Sequence, residues 1–89
     1  MISNKLDEAL TILQEECGET VQVCSKIRRF GIDNTEYKDK RKWLTQELGD
    51  IFAMIEILVD LGVVSTLELT EAKLAKKEKL KTYSNLFND

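Results

Sequence analysis

Apolar residues recur every three or four positions along almost the whole chain, and this helical period constrains the fold more than any other feature. The 89 residues include no proline and only four glycines, so few positions interrupt a helix. The pattern predicts three helices, at about residues 4–30, 38–61 and 65–82. We therefore expect a single all-α domain over residues 1–89, built as a helical bundle.

Local signals mark where these helices begin and end. Gly31 follows the first segment, as a glycine commonly does after a helix. Ser65 and Glu68 have capping-box spacing and predict the start of the third segment. The second segment is expected to follow a loop over residues 32–37 and to open with a solvated charge run over residues 38–42. The candidates for its N-terminal cap are Asp33, Asn34 and Thr35.

Charge and hydropathy exclude two classes of partner. A net charge of -3 argues against nucleic-acid binding through phosphate contacts. No apolar run approaches the ~18 residues that a membrane-spanning helix needs. The stretch over residues 1–6 has neither the basic nor the apolar region of a secretory signal. We expect a cytoplasmic protein that binds neither nucleic acid nor membrane.

The absence of histidine narrows the chemistry. It excludes histidine acid–base catalysis, serine–histidine triads and the common zinc sites. Cys17 and Cys24 lie two turns apart on one face, separated by roughly 10 Å of helical rise, too far for a disulfide. We expect both cysteines to be small core residues. Chemistry in this chain must use carboxylates, lysines, a tyrosine or a bound metal.

Two pairs of acidic residues combine helical spacing with apolar surroundings. They are Glu16 with Glu19 in the first segment, and Glu47 with Asp50 in the second. Spacing of i, i+3 puts both acids of a pair on one side of a helix, and both pairs fall inside the apolar arc. Buried acids need a compensating positive charge. A divalent cation such as Mg²⁺, with Mn²⁺ as an alternative, accepts oxygen ligands from facing helices.

The sequence also allows a structural interpretation of these acids. Glu16 and Glu19 would then form a buried ion network with lysines of the third segment. The chain would be a non-catalytic helical association module. Metal-linked stability separates the two hypotheses, because only a metal site is stabilised by added Mg²⁺.

The second segment is too apolar for a lone protomer. Its apolar arc covers roughly two-thirds of the helix circumference at about 100° per residue. Two neighbouring helices leave part of such an arc exposed, and a domain of this size has a thin core. We therefore expect a homodimer or homotetramer in which a second copy completes the bundle.

Two short motifs carry a resemblance to a known family. Residues 13–19 are Leu-Gln-Glu-Glu-Cys-Gly-Glu, and residues 46–50 are Gln-Glu-Leu-Gly-Asp. Together they resemble the Glu-Glu-x-x-Glu and Glu-x-x-Asp signature of MazG-like nucleoside triphosphate pyrophosphohydrolases, which belong to the all-α NTP pyrophosphatase superfamily. The resemblance spans about residues 6–85.

That resemblance implies an activity and a set of ligands. It implies Mg²⁺-dependent hydrolysis of a (d)NTP between the α- and β-phosphates, which releases a nucleoside monophosphate and pyrophosphate. The implied metal ligands are Glu16, Glu19, Glu47 and Asp50. Glu15, the first glutamate of the signature, would orient the attacking water or hold an extra metal. Phosphoribosyl-ATP hydrolysis, elsewhere in the superfamily, is a less favoured alternative because the first motif is closer to the MazG branch.

Other residues are weaker candidates for substrate contacts. The third segment of relatives often supplies a lysine to the phosphates, and Lys73 and Lys76 lie on the apolar side of this segment. A solvated lysine face is the competing interpretation. Trp43, one turn before Glu47, is a candidate for stacking on a base, although a core or interface position is favoured.

Overall fold

The computed structural model describes residues 2–33 and 39–88, and within them it contains three α-helices and no β-strand. Helix α1 spans Asn4–Phe30, α2 spans Lys40–Asp60 and α3 spans Thr66–Tyr83. The predicted all-α class is therefore confirmed. In this part of the chain no helix is both long and apolar enough to cross a membrane.

The ends of α1 follow from its capping residues. The Ser3 hydroxyl accepts a hydrogen bond from the Leu6 amide at 3.1 Å. Gly31 adopts a φ of 83°, a left-handed conformation that costs glycine little, and its amide donates to the Ile27 carbonyl at 2.8 Å. The predicted glycine stop is confirmed.

The start of α2 differs from the prediction. Asp39 caps the helix by accepting a hydrogen bond from the Lys42 amide at 3.0 Å. Asp33, a predicted cap, is instead paired with Arg41 at 2.9 Å. Lys40 is only 8% exposed, so the prediction of a solvated charge run is wrong at that residue. The other two predicted caps, Asn34 and Thr35, lie outside the described residues, as does most of the predicted loop.

The predicted capping pair opens α3. The Ser65 hydroxyl accepts from the Glu68 amide at 3.1 Å and donates to the Glu68 carboxylate at 3.1 Å. Val64, just before the helix, packs against the core. The start of α3 is therefore stabilised both by its Ser65 cap and by the contact of Val64 with the core.

Helices α1 and α2 pack against each other in antiparallel directions. Ala9 of α1 clusters with Met54 and Leu58 of α2, whereas Glu16, further along α1, meets Glu47, which is earlier in α2. Val23, near the end of α1, is fully buried. The partly buried residues packed against this core are Leu6, Leu13, Leu61 and Val64. This pairing holds the acids of the two helices side by side.

Helix α3 extends from this pair without a buried face of its own. None of its residues is buried, and Leu67, Leu74 and Tyr83 are 69%, 57% and 83% exposed. Apolar side chains of α3 point in several directions, so no single face would bury them all. The described chain is thus a helix pair with a third helix attached at one end.

The prediction that Cys17 and Cys24 are core residues is wrong. Both are exposed, and both are free thiols. They lie roughly 100° around α1 from the side that carries Ala9 and Val23. Helix α2 covers only that side. The apolar arc of α1 therefore extends beyond the surface that α2 covers.

Candidate metal centre

Three carboxylates from two helices converge at the middle of the pair. One carboxylate oxygen from each of Glu16, Glu19 and Glu47 lies within 4.8 Å of the other two. Glu16 and Glu19 come from neighbouring turns on one side of α1, and Glu47 comes from the facing side of α2. The antiparallel packing of α1 and α2 brings the predicted acids of both motifs to one place.

Two oxygen atoms in this cluster are buried without a partner. Glu47 is 7% exposed, and Oε2 of both Glu47 and Glu16 finds no hydrogen bond among the described residues. An ionised carboxylate only accepts hydrogen bonds, so such an oxygen loses its hydration without compensation. The ion pairs Arg41–Asp33 and Lys81–Glu78 do not involve these acids.

The proximity of the acids changes their protonation. The pKa of Glu16 is raised to about 7, and burial is the largest cause. Hydrogen bonding to Glu47 and Asp50 in the protonated state and the charges of Asp50 and Glu19 are the other causes of this shift. The pKa of Glu19 is also raised, chiefly by hydrogen bonding to Glu47 and by the Glu47 charge. The cluster therefore binds a proton more readily than isolated glutamates do.

Asp50 and Glu15 stand at the edge of the cluster. Asp50 is exposed and does not belong to the group within 4.8 Å, yet its hydrogen bonding and charge both raise the pKa of Glu16. Glu15 is exposed as well, and its charge raises the pKa of Glu19. The structure thus places three predicted ligands together, with the fourth and the predicted catalytic glutamate beside them.

The predicted substrate-binding residues are not gathered at this cluster. Trp43 is half-buried on α2, one turn before Glu47. Lys73 and Lys76 are exposed on α3, and no hydrogen bond or ion pair within the described residues connects them to the acids. Their contact with phosphate is therefore left as a prediction.

A groove beside the acids was not predicted from the sequence. It has a volume of about 190 Å³. We call it the apolar groove; it is lined by Lys5, Glu8, Ala9, Ile12, Met54, Ile57 and Leu61. The available signal was spacing: Ile57 lies seven residues after Asp50, and Ile12 lies seven before Glu19, so each shares a helix side with an acid.

An exposed apolar face lies on the other side of the helix pair. We call it the outer face; it comprises Leu10, Cys17, Val21, Leu48 and Phe52. Val21 and Phe52 are 68% and 71% exposed. On each helix the row lies roughly 100° around the axis from the packed side. Because α1 and α2 are antiparallel, both rows fall on one side of the pair, and Glu19, Asp50 and the apolar groove fall on the opposite side.

Comparisons with protein-family models, curated proteins and solved structures find no match to this chain. The chemistry of the cluster therefore has to indicate its role. Closely spaced carboxylate groups, two of which have a buried and unpartnered oxygen, suit a hard divalent cation. The donor set contains no sulfur or imidazole, which disfavours zinc and copper.

Proposed function

We propose that this chain is a Mg²⁺-dependent (d)NTP pyrophosphohydrolase of the MazG-like type, acting on the cytoplasmic nucleotide pool. One observation carries the proposal: Glu16 and Glu47, from two facing helices, each hold a buried carboxylate oxygen with no partner among the described residues. The resemblance of both acidic motifs to the family signature supports the same conclusion. The proposed domain covers residues 1–89.

The carboxylates have distinct proposed roles in holding the cation. Glu16, Glu19 and Glu47 are its inner ligands, and Asp50 completes the set from the edge. Mg²⁺, or Mn²⁺ in its place, would neutralise phosphate charge and lower the pKa of a bound water. The unpartnered oxygens of Glu16 and Glu47 gain a partner, and the proton that Glu16 holds near neutral pH leaves.

The remaining residues would act on the substrate. Glu15, exposed beside the cluster, orients the water that attacks the α-phosphorus, so that pyrophosphate leaves. Lys73 and Lys76 bind phosphate oxygens, which requires α3 to approach the acids of its own or of a second copy. Trp43, half-buried one turn before Glu47, is the candidate that the sequence offers for stacking on the substrate.

A second copy would cover the outer face and complete the bundle. Exposed apolar residues on both α1 and α2 form this face, and it lies away from the acids, so association leaves the site open. Phe52→Glu should shift the protein toward the monomer in light scattering. Leu74→Glu, at an exposed apolar position on α3, is the matched control and should leave the mass unchanged. If light scattering gives Phe52→Glu the same mass as the parental protein, the outer face is not the interface.

A substrate panel tests the activity. The common NTPs and dNTPs, together with phosphoribosyl-ATP, are incubated with Mg²⁺ and scored for pyrophosphate against phosphate. We expect pyrophosphate and a monophosphate from at least one (d)NTP. Release from phosphoribosyl-ATP alone would move the chain to that alternative branch. No pyrophosphate from any substrate would refute the enzyme proposal.

The non-catalytic association module is the competing function. It predicted lysine partners for Glu16 and Glu19, and the described residues contain no such ion pair. Thermal unfolding distinguishes the two. A metal site predicts stabilisation of about 2.7 kcal/mol when Mg²⁺ is present at 100 times its dissociation constant, reversed by chelator. An unchanged melting temperature would favour the association module.

A further inference from the structure

The apolar groove begins about one helical turn beyond the acids on each helix. Ile12 lies one turn before Glu16 on α1, about 6 Å along the axis. Met54 lies four residues after Asp50 on α2, again about 6 Å. On this side of the pair, the surface of each helix therefore changes from carboxylates to apolar side chains.

The groove has an apolar floor and two charged side chains. Ile12 and Ile57 are 36% and 42% exposed, so much of their apolar surface faces solvent. Lys5 and Glu8 are exposed residues in the lining, and neither has an ion-pair partner in the described part of the chain. An ammonium donor and a carboxylate acceptor beside an apolar floor suit a flat ring with polar edges.

We infer that the apolar groove binds the base of the nucleotide whose phosphates are held at the acid cluster. Ile12 and Ile57 contact the faces of the base, and Lys5 and Glu8 hydrogen-bond its edge. The groove then holds the base in place of Trp43, which lies about 21 Å from Ile57 along α2. This inference rests on the proposed function. The volume of about 190 Å³ is below the roughly 300 Å³ at which pockets for whole drug-sized ligands begin, so the groove takes one ring system and not the entire nucleotide.

The position of the groove is compatible with self-association. The outer face and the groove lie on opposite sides of the α1–α2 pair. A second copy on the outer face therefore leaves the groove open to ligand. Ligand binding and association use separate apolar surfaces, so substitutions can affect them separately.

Calorimetric binding of two ligands tests the inference. One ligand is a nucleoside triphosphate analogue with a non-hydrolysable α–β bridge, and the other is inorganic tripolyphosphate, which has no base; both are titrated with Mg²⁺ present. Ile57→Asp should weaken analogue binding by about tenfold or more, because it puts a charge against the base. Tripolyphosphate affinity should stay within about twofold, since tripolyphosphate has no base and the proposed phosphate-binding groups are not in the groove. Leu74→Asp on α3 is the control, and it should change neither affinity.

A milder variant tests the inference even if Ile57→Asp does not fold. Glu8→Gln keeps the shape of an exposed side chain while replacing its carboxylate with an amide, so the fold should be retained. It should alter the ratio of affinities for purine and pyrimidine analogues by about tenfold, because the hydrogen bonds offered to the base edge change.

The outcomes separate this inference from the proposed function. If the parental protein binds tripolyphosphate but neither variant changes analogue binding, the groove does not hold the base, and the proposed function stands. Equal weakening of both ligands by Ile57→Asp also overturns the inference. If the parental protein binds neither ligand with Mg²⁺, both proposals are wrong.

Discussion

The α1–α2 pair and helix α3 have equally clear local signals but very different packing. Each of the three helices in the described chain has a side-chain cap at its start, provided by Ser3, Asp39 and Ser65. All buried residues of the described chain nevertheless lie in α1 and α2. Capping is enough to begin a helix, but burial needs an apolar face and a partner that matches it.

The same contrast holds for charge. The closely packed pair contains the acid cluster, in which burial and neighbouring carboxylates raise the pKa values of Glu16 and Glu19. Helix α3 contains a run of lysines that are all exposed, and the one ion pair it forms within the described residues is Lys81–Glu78. Perturbed electrostatics therefore occur where the helices pack, which is where a functional site is expected.

A core truncation should show the largest difference between the two regions. Met54→Ala removes a buried side chain between α1 and α2, and should lower the free energy of unfolding by about 2–5 kcal/mol. Leu74→Ala on α3 removes an exposed side chain and should change it by about 0.5 kcal/mol or less. Urea unfolding measures both. Equal losses would show that α3 is packed in solution, against its own chain or another copy.

Neutralising an acid should separate the two regions in activity. Glu47→Gln should reduce pyrophosphate release by about 100-fold or more, since even residues that only support metal ligands cost about 10–100-fold. Glu78→Gln on α3 changes an exposed acid and should leave the rate within about twofold. A parental rate for Glu47→Gln would show that the site is assigned wrongly.

The acid cluster should make stability depend on pH. The pKa of Glu16 is raised from 4.5 in the unfolded chain to about 7 in the folded protein. The folded state then binds the proton more tightly, so this stabilisation is complete below about pH 4.5 and is lost as the pH rises through 7. In chelator, the melting temperature should fall between pH 5 and pH 8, and Glu16→Gln should flatten the curve. If Glu16→Gln shows the same dependence of melting temperature on pH as the parental protein, other groups cause that dependence.

Removal of the α3 cap should have the smallest effect, and a local one. Ser65→Ala should cost α3 about 1 kcal/mol of helix stability, because the Glu68 amide loses its acceptor. Hydrogen exchange should speed up in the first turns of α3 and stay unchanged around Met54. Faster exchange in α2 as well would show that the two regions unfold together.

Features that depend on neighbouring residues were predictable from the sequence. The stop at Gly31 and the start at Ser65 follow from local hydrogen bonds and backbone conformation. The start of α2 was predicted less well, because several acidic or polar residues near it were able to cap and Asp39 took that role. Propensity alone does not choose among such competitors.

Features that depend on the width of a packed face were not predictable. The helical wheel of α1 includes Cys17 and Cys24 in the same apolar arc as Ala9, yet only Ala9 is buried. A wheel orders residues around one helix, but it does not say how much of that order a neighbour covers. For α3 the sequence predicted the length, but the apolar side on which Lys73 and Lys76 were placed contains no buried residue.

The sequence by itself determined three helices and the presence of each acidic pair on one side of its helix, because the 3.6-residue period acts within a single segment. Only the tertiary structure decided that α1 and α2 run antiparallel in a register that joins Glu16 and Glu19 to Glu47. It also decided which oxygens are buried without partners and where the apolar groove opens. These features depend on the rotation and offset of one helix relative to another, which side-chain packing sets and local periodicity does not.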